Sequence, residues 1–114
     1  MAEKTIFQKI IDREIPASIV YEDELCVAFN DIDPQAPTHL LLVPKKLIRS
    51  LDTLTPEDHA VVGHLIMVIP RIAQQLQLDK GFRLVCNCGE HAGQLVPHLH
   101  FHLLAGRPMR WPPG

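Results

Sequence analysis

Three histidines alternate with apolar residues in the run His98-Leu99-His100-Phe101-His102. Alternate side chains of an extended chain share a face, so the imidazoles should point one way while Leu99, Phe101 and Leu103 point the other. Imidazole has an unperturbed pKa of about 6.5, so one neutral ring can attack an electrophile while its neighbours donate hydrogen bonds to an anion. A ring nitrogen that attacks phosphorus forms a covalent intermediate and divides one difficult displacement into two. Flanking rings can hold the nucleophile in the right tautomer and stabilise charge on phosphoryl oxygens.

Two other readings compete. One is a hydrogen-bonded or solvated polar face, the usual explanation of a lone histidine. The other is a metal, since neutral imidazole is the commonest zinc ligand. Alternate strand residues stand about 6.6 Å apart, which separates the outer histidines by about 13 Å, too far for one tetrahedral ion. Two of them with a third ligand such as Cys88 or His39 remain open. His59 and His64, five apart on a helix, face different directions.

The elements that must carry this row come from a chain of 114 residues, the usual size of one domain. Apolar residues make up 46% and charged residues 21%, an ordinary globular mix. The net charge of -2, with eleven basic residues scattered among thirteen acids, gives no footprint for nucleic acid but leaves room for a small anionic ligand. The start Met1-Ala2-Glu3-Lys4-Thr5 is charged, and the longest apolar stretch, Leu65 to Pro70, is too short to span a bilayer. Three cysteines without a CxxC pair make no disulfide framework. These features predict a cytoplasmic protein with no membrane partner, in which Cys26 and Cys86 are small core hydrophobes.

Thr5-Ile6-Phe7-Gln8 has the form of a capping box, and Ile6, Phe7, Ile10 and Ile11 continue at helical spacing until Pro16. Ile19-Val20-Tyr21 and Leu25 to Phe29 read as a hairpin around Glu22-Asp23-Glu24. Asp31 to Thr38 is a proline-containing loop, and His39 to Val43 is a buried strand. Thr55-Pro56-Glu57-Asp58 starts a helix with Val61, Val62, Leu65, Val68, Ile69, Ile72, Ala73 and Leu76 as its buried stripe. Pro70 falls inside and predicts a kink rather than a stop, with the end near Leu78. Phe82 to Asn87 and His98 to Ala105 read as the last strands, separated by a loop with Gly89 and Gly93. The expected fold is α+β, an antiparallel sheet of about five strands with two helices, all in one domain over residues 1–114 with an irregular tail at 107–114.

His98-Leu99-His100-Phe101-His102-Leu103-Leu104 resembles the signature of the histidine triad (HIT) superfamily, three histidines alternating with apolar residues. Ala28-Phe29-Asn30-Asp31-Ile32, Pro34-Gln35-Ala36-Pro37-Thr38-His39, Gly93-Gln94 and Trp111-Pro112-Pro113-Gly114 are similar to its histidine triad nucleotide-binding protein branch. The likeness covers nearly the whole chain. It implies a HIT-like homodimer that hydrolyses purine nucleoside 5′-phosphoramidates, with an AMP- or GMP-type nucleotide as substrate and neither cofactor nor metal.

By position, the resemblance makes His100 the nucleophile that forms a nucleotidyl-histidine. It places His102 on the α-phosphate and leaving group, and His98 and His39 in support. Asp31 would accept from the ribose hydroxyls, and Asn87 with the backbone around Gly93, Gln94 and Leu95 would hold the phosphate. Phe7, Ile10, Phe29 and Ile32 would form the slot for the base, though each could equally be plain core. Retention of His102, where a nucleotidyltransferase branch has glutamine, favours hydrolysis.

The chain also departs from that branch. Leu95 stands where a serine usually donates near the scissile bond, Leu47 replaces a frequent histidine, and Pro97 a frequent tyrosine. Alternatives are a dinucleoside polyphosphate hydrolase of the same superfamily, or a nucleotide-binding or scaffold protein with little turnover. The tail from Arg107 to Gly114 is a candidate to reach a partner's active site.

Overall fold

The computed structural model describes residues 3–114, so Met1 and Ala2 of the charged start lie outside it. Its elements are α1 (Ile6–Ile11), β1 (Ile19–Glu22), β2 (Cys26–Asn30), β3 (Thr38–Pro44), α2 (His59–Gln75), β4 (Phe82–Val85) and β5 (Phe101–Ala105). Five antiparallel strands form one sheet in the order β1-β2-β3-β5-β4, the expected α+β architecture. β1 and β2 are the expected hairpin, and its turn is tied by the Asp23 carboxylate, which accepts from the Leu25 and Cys26 N–H groups. A chain that leaves β3 at the sheet's interior must cross to the far edge before returning. α2 makes that crossing, and β5 then fills the gap between β3 and β4.

Strand alternation gives the sheet two different faces. Cys26 and Ala28 of β2, Leu40 and Leu42 of β3, and Leu103 of β5 face Leu65, Val68, Ile69 and Ile72 of α2. Val27 and Phe29 of β2 and Leu41 and Val43 of β3 pack instead with Phe7 and Ile10 of α1. The capping box is present as the sequence predicts: Thr5 Oγ1 accepts from the Gln8 N–H, and Gln8 Oε1 accepts from the Thr5 N–H. A six-residue helix is too short to be stable alone, so this cap and the burial of Phe7 and Ile10 hold it.

α2 is preceded by a single 3-10 turn, Pro56–Asp58, in which the Asp58 carboxylate reaches back to the Thr55 N–H. Val61, Leu65, Val68, Ile69 and Ile72 of its predicted stripe are buried, while Val62, Ala73 and Leu76 are half-buried. The helix runs on through Pro70 but ends at Gln75, short of Leu78, where Gln77 takes up a left-handed conformation.

The last strands are shorter than expected. β4 stops at Val85 rather than Asn87, and β5 starts at Phe101 rather than His98. The last β3–β5 pair is Leu42 with Phe101, and beyond it Val43 and Pro44 pair with β2 alone. The Leu99 N–H turns to the Ile48 carbonyl at 2.6 Å instead. Side-chain alternation nevertheless persists: Leu99 joins the core beneath α2, while His98 and His100 meet Phe7 on the other face.

Candidate active site

The register of β3 against β5 explains why a fourth histidine joins the three. Leu41 faces His102, so His39, two residues earlier on the same face, is a diagonal neighbour within side-chain reach. His39 Nε2 and His102 Nδ1 lie 2.9 Å apart. The rings of His100 and His102 stand 5.1 Å apart in an edge-on arrangement, and Phe7 meets His100 edge-on at 4.9 Å. His98, His100 and His39 are buried, and His102 is half-buried.

The proton on each ring follows from its partners, because a carbonyl can only accept and a backbone N–H can only donate. His98 Nε2 donates to the Pro44 carbonyl at 2.9 Å, so its Nδ1 is the acceptor for the Thr5 hydroxyl at 3.1 Å. His100 Nδ1 donates to the His98 carbonyl at 2.7 Å, which leaves the lone pair on Nε2. The Gln35 N–H donates to His39 Nδ1 at 3.0 Å, so His39 carries its proton on Nε2 and donates it to His102 Nδ1. His102 must then hold its own proton on Nε2. The site thus presents one ring nitrogen with a free lone pair, on His100, beside one with a free N–H, on His102.

Burial disfavours the charged forms of His98 and His102. Burial pushes the His98 pKa below its ordinary value, the Pro44 carbonyl only partly opposes this, and His100 adds to it. Burial likewise lowers His102, helped by His100 and His39 and opposed by Asp31. Among the described residues no buried side-chain nitrogen or oxygen lacks a hydrogen-bond partner.

Asp31 ends the strand pairing at the rim of the site. Its N–H donates to the His39 carbonyl at 2.9 Å, and its carboxylate accepts from the Asp33 N–H at 2.8 Å while standing 3.5 Å from His39 Nε2. Beside it a slot of about 350 Å³ is lined by Phe7, Ile10, Phe29, Asp31 and Ile32. Phe7 both lines the slot and touches His100, so the slot lies next to the His100 ring. Phe7, Ile10 and Phe29 are core residues whose outer surfaces form its floor, whereas Ile32 is 98% exposed on its edge.

A wider hollow of about 560 Å³ lies along Arg49, Asp52, Glu90, Gly93, Gln94 and Leu95, and no histidine lines it. The Gly93 N–H donates to the Glu90 carbonyl and the Gln94 N–H to the Gly89 carbonyl, both at 3.0 Å. Of the three amides expected at a phosphate, only that of Leu95 is left without an acceptor among the described residues. The Gln94 side chain bonds to Gly89 N–H and to the Arg49 and Val96 carbonyls, fastening the loop to the end of the triad. The Leu95 side chain is 92% exposed. Asn87 lies two residues past Val85, whose partner is His102, so continuation of that register would set it across from His100.

Thr5 and Gln35 were not singled out as site residues by the sequence. Thr5 was read only as a helix cap, yet the same hydroxyl serves His98. Gln35 acts through its backbone, which no side-chain pattern reveals.

Ligand atoms of Asp31, His39 and His102 lie within 4.8 Å of one another, as do those of Asp23, Cys26 and His64. An ion in the first group would have to break the His39–His102 hydrogen bond. In the second, burial raises the Asp23 pKa, but hydrogen bonds from Tyr21, His64, Leu25 and Cys26 outweigh it and hold the carboxyl well below the usual range. Burial pushes the neighbouring Cys26 thiol up to about 12, so it behaves as the core hydrophobe expected. Cys86 is half-buried against the same core. Cys88 approaches Asp52 and belongs to neither of these groups. His59 and His91 are exposed. No helix among the described residues is long and apolar enough to cross a membrane.

The HIT domain family matches residues 12–109, a span that includes all four clustered histidines. Over 114 residues, all of both chains, the sequence is 59% identical to an uncharacterized HIT-like protein of Synechocystis sp.. It is 50% identical over 110 residues to the purine nucleoside phosphoramidase of Escherichia coli strain K12, covering 96% of this chain and 92% of that one. The crystal structure of a HIT family hydrolase from Legionella pneumophila superposes with a TM-score of 0.94 at 45% identity, covering 97% of this chain and 100% of the other. Fold, histidine cluster and sequence agree, and the chain belongs to the HIT domain family.

Proposed function

We propose that this protein is a hydrolase of P–N bonds in purine nucleoside 5′-phosphoramidates, working through a nucleotidyl intermediate on His100. The observation that carries the reading is that hydrogen bonds engage Nδ1 of both His100 and His102, an arrangement that assigns a lone pair to His100 Nε2 and a proton to His102 Nε2. The likeness to a purine nucleoside phosphoramidase supports the substrate class.

His100 Nε2 attacks the α-phosphorus, and the P–N bond breaks as the new N–P bond forms. The amine leaves with the bonding pair and a proton taken from solvent, which the hydrolysis of the intermediate returns. Positive charge that develops on the His100 ring is met by the His98 carbonyl at Nδ1. His102 Nε2–H donates to the α-phosphate and the leaving group. Water then gives its hydroxyl to phosphorus and releases its proton, returning a nucleoside 5′-monophosphate and neutral His100.

The base enters the slot over Phe7, Ile10, Phe29 and Ile32, and the Asp31 carboxylate accepts from the ribose hydroxyls. Asn87 and the Leu95 amide hold the phosphate, with Gly93 and Gln94 setting the loop. These parts belong to one domain over residues 1–114. It acts as a homodimer, a reading supported by the unpaired outer edge of β4, whose Phe82 is 42% exposed. A cytoplasmic location suits the absence of disulfides among its cysteines.

Turnover of adenosine 5′-phosphoramidate, lost in His100→Ala while monophosphate binding persists, tests the assignment. Faster hydrolysis of dinucleoside polyphosphates would move the substrate to that class. Tight nucleotide binding with negligible turnover would make the protein a binding module, the reading that the exposed Leu95 favours. Light scattering that returns a monomer would remove the homodimer.

A further inference from the structure

The proton on His102 depends on His39, and the proton on His39 depends on one backbone amide in the loop between β2 and β3. Without the Gln35 N–H at His39 Nδ1, only the Asp31 carboxylate, 3.5 Å from Nε2 and beyond good hydrogen-bond length, still distinguishes the two tautomers of His39. Its Nε2–H then no longer has to face His102 Nδ1, and His102 no longer has to keep its proton on the side open to substrate.

Two consecutive residues at the end of β5 hold that loop. Arg107 Nε donates to the Gln35 carbonyl at 3.1 Å, and Arg107 Nη1 also caps the Pro108 carbonyl at 3.1 Å. Immediately before it, Gly106 lies against the Pro37 ring so closely that an added Cβ would stand 2.8 Å from Pro37 Cβ. Gly106 also has φ of +95°, where a side chain is strained. The loop is therefore gripped by a hydrogen bond at Gln35 and by backbone contact at Pro37. Arg107 touches none of the four histidines, is exposed, and makes hydrogen bonds of a kind worth little to global stability.

We propose that Gly106 and Arg107 are positioning residues: by clamping the Asp31–Pro37 loop they keep the Gln35 N–H on His39 Nδ1, and so keep the protons of His39 and His102 on Nε2. The inference rests on the role given above to His102 Nε2–H. It places the start of the tail at the site of its own chain, whatever the remaining tail does.

Arg107→Ala and Gly106→Ala disturb the clamp from different sides, so agreement between them separates the clamp from local damage. Thermal melts establish that each variant is folded. The ring-nitrogen ¹⁵N spectrum of the histidines reads tautomers directly and needs no turnover. The wild type is expected to show His39 and His102 each with a protonated Nε2 and an unprotonated Nδ1, and both variants to show averaged ring shifts. In parallel, kcat for adenosine 5′-phosphoramidate should fall about tenfold with KM changed far less, since a misplaced donor is felt chiefly in the transition state.

Wild-type ring shifts and wild-type kcat in both folded variants would overturn the clamp. So would the opposite tautomer of His39 in the wild type. If the wild type hydrolyses no phosphoramidate, the functional reading fails, while the ring spectra still decide the clamp.

Discussion

The carbonyl of His98 accepts the Nδ1–H of His100 at 2.7 Å, and this one contact leaves the His100 lone pair on Nε2, the atom proposed as nucleophile. His98 is itself held at both ring nitrogens, by Thr5 and by Pro44. The first histidine of the run thus acts through its backbone, and its ring serves to fix where that backbone lies.

Thr5 links a helix cap to this support, since its hydroxyl accepts from Gln8 N–H and donates to His98 Nδ1. Thr5→Val should destabilise the fold by about 2 kcal/mol, combining a lost N-cap with a buried ring nitrogen left unpaired. Thr5→Ser should restore most of it. Urea unfolding of the three proteins measures this, and equal midpoints would contradict it.

Stability should also depend on pH in a definite window. His98 is buried with its pKa depressed, so on unfolding it returns toward 6.5 and binds protons that the folded protein refuses. Its contribution is complete above about pH 6.5 and is lost as pH falls through that value toward the depressed folded pKa, at no more than about 1.4 kcal/mol per pH unit. His102 acts in the same direction. The depressed carboxylates Glu22, Asp23, Asp52 and Asp58 add losses only at lower pH, below about 4. Unfolding free energies measured from pH 8 to pH 5 should decline below 6.5; a flat profile would count against a buried neutral His98.

The family resemblance sets Leu95 where a serine hydroxyl would donate to the developing charge, and its side chain is exposed. Leu95→Ser should raise kcat on a poorly departing amine by about tenfold or more, with little change in KM or in stability. Steady-state kinetics on a series of amines reads this. An unchanged kcat would mean that the Leu95 side chain does not face the leaving group.

Ile32 is 98% exposed on the edge of the slot proposed for the base. Ile32→Ala should raise KM for purine phosphoramidates several-fold, roughly the loss of one or two buried methylenes, and leave kcat unchanged. A fall in kcat with constant KM would move Ile32 out of the base slot.

The polar and apolar alternation of residues 98–103 was enough to predict which side chains face the site, even though His98, Leu99 and His100 lie outside the strand. That error has a plain cause: alternation survives in any extended backbone, while the ladder ends at Leu42 and Phe101 and the Leu99 N–H is taken by the Ile48 carbonyl. The capping box, the hairpin and the apolar stripe of α2 were legible because local spacing fixes them. The order of β5 between β3 and β4 was not, nor the diagonal approach of His39 to His102, since both depend on register between distant segments. The contributions of Gln35 and the His98 carbonyl were invisible because backbone groups are the same at every residue.

The covalent step is the centre of the account, and rapid quenching tests it most directly. The protein is mixed with adenosine 5′-phosphoramidate, stopped within one turnover, digested and mapped by mass spectrometry, with His100→Ala alongside. An adenylyl group on the peptide at His100, forming and decaying at rates compatible with kcat and missing from the variant, is the expected result. Full turnover with no adduct at any time, or an adduct on another histidine, would contradict it.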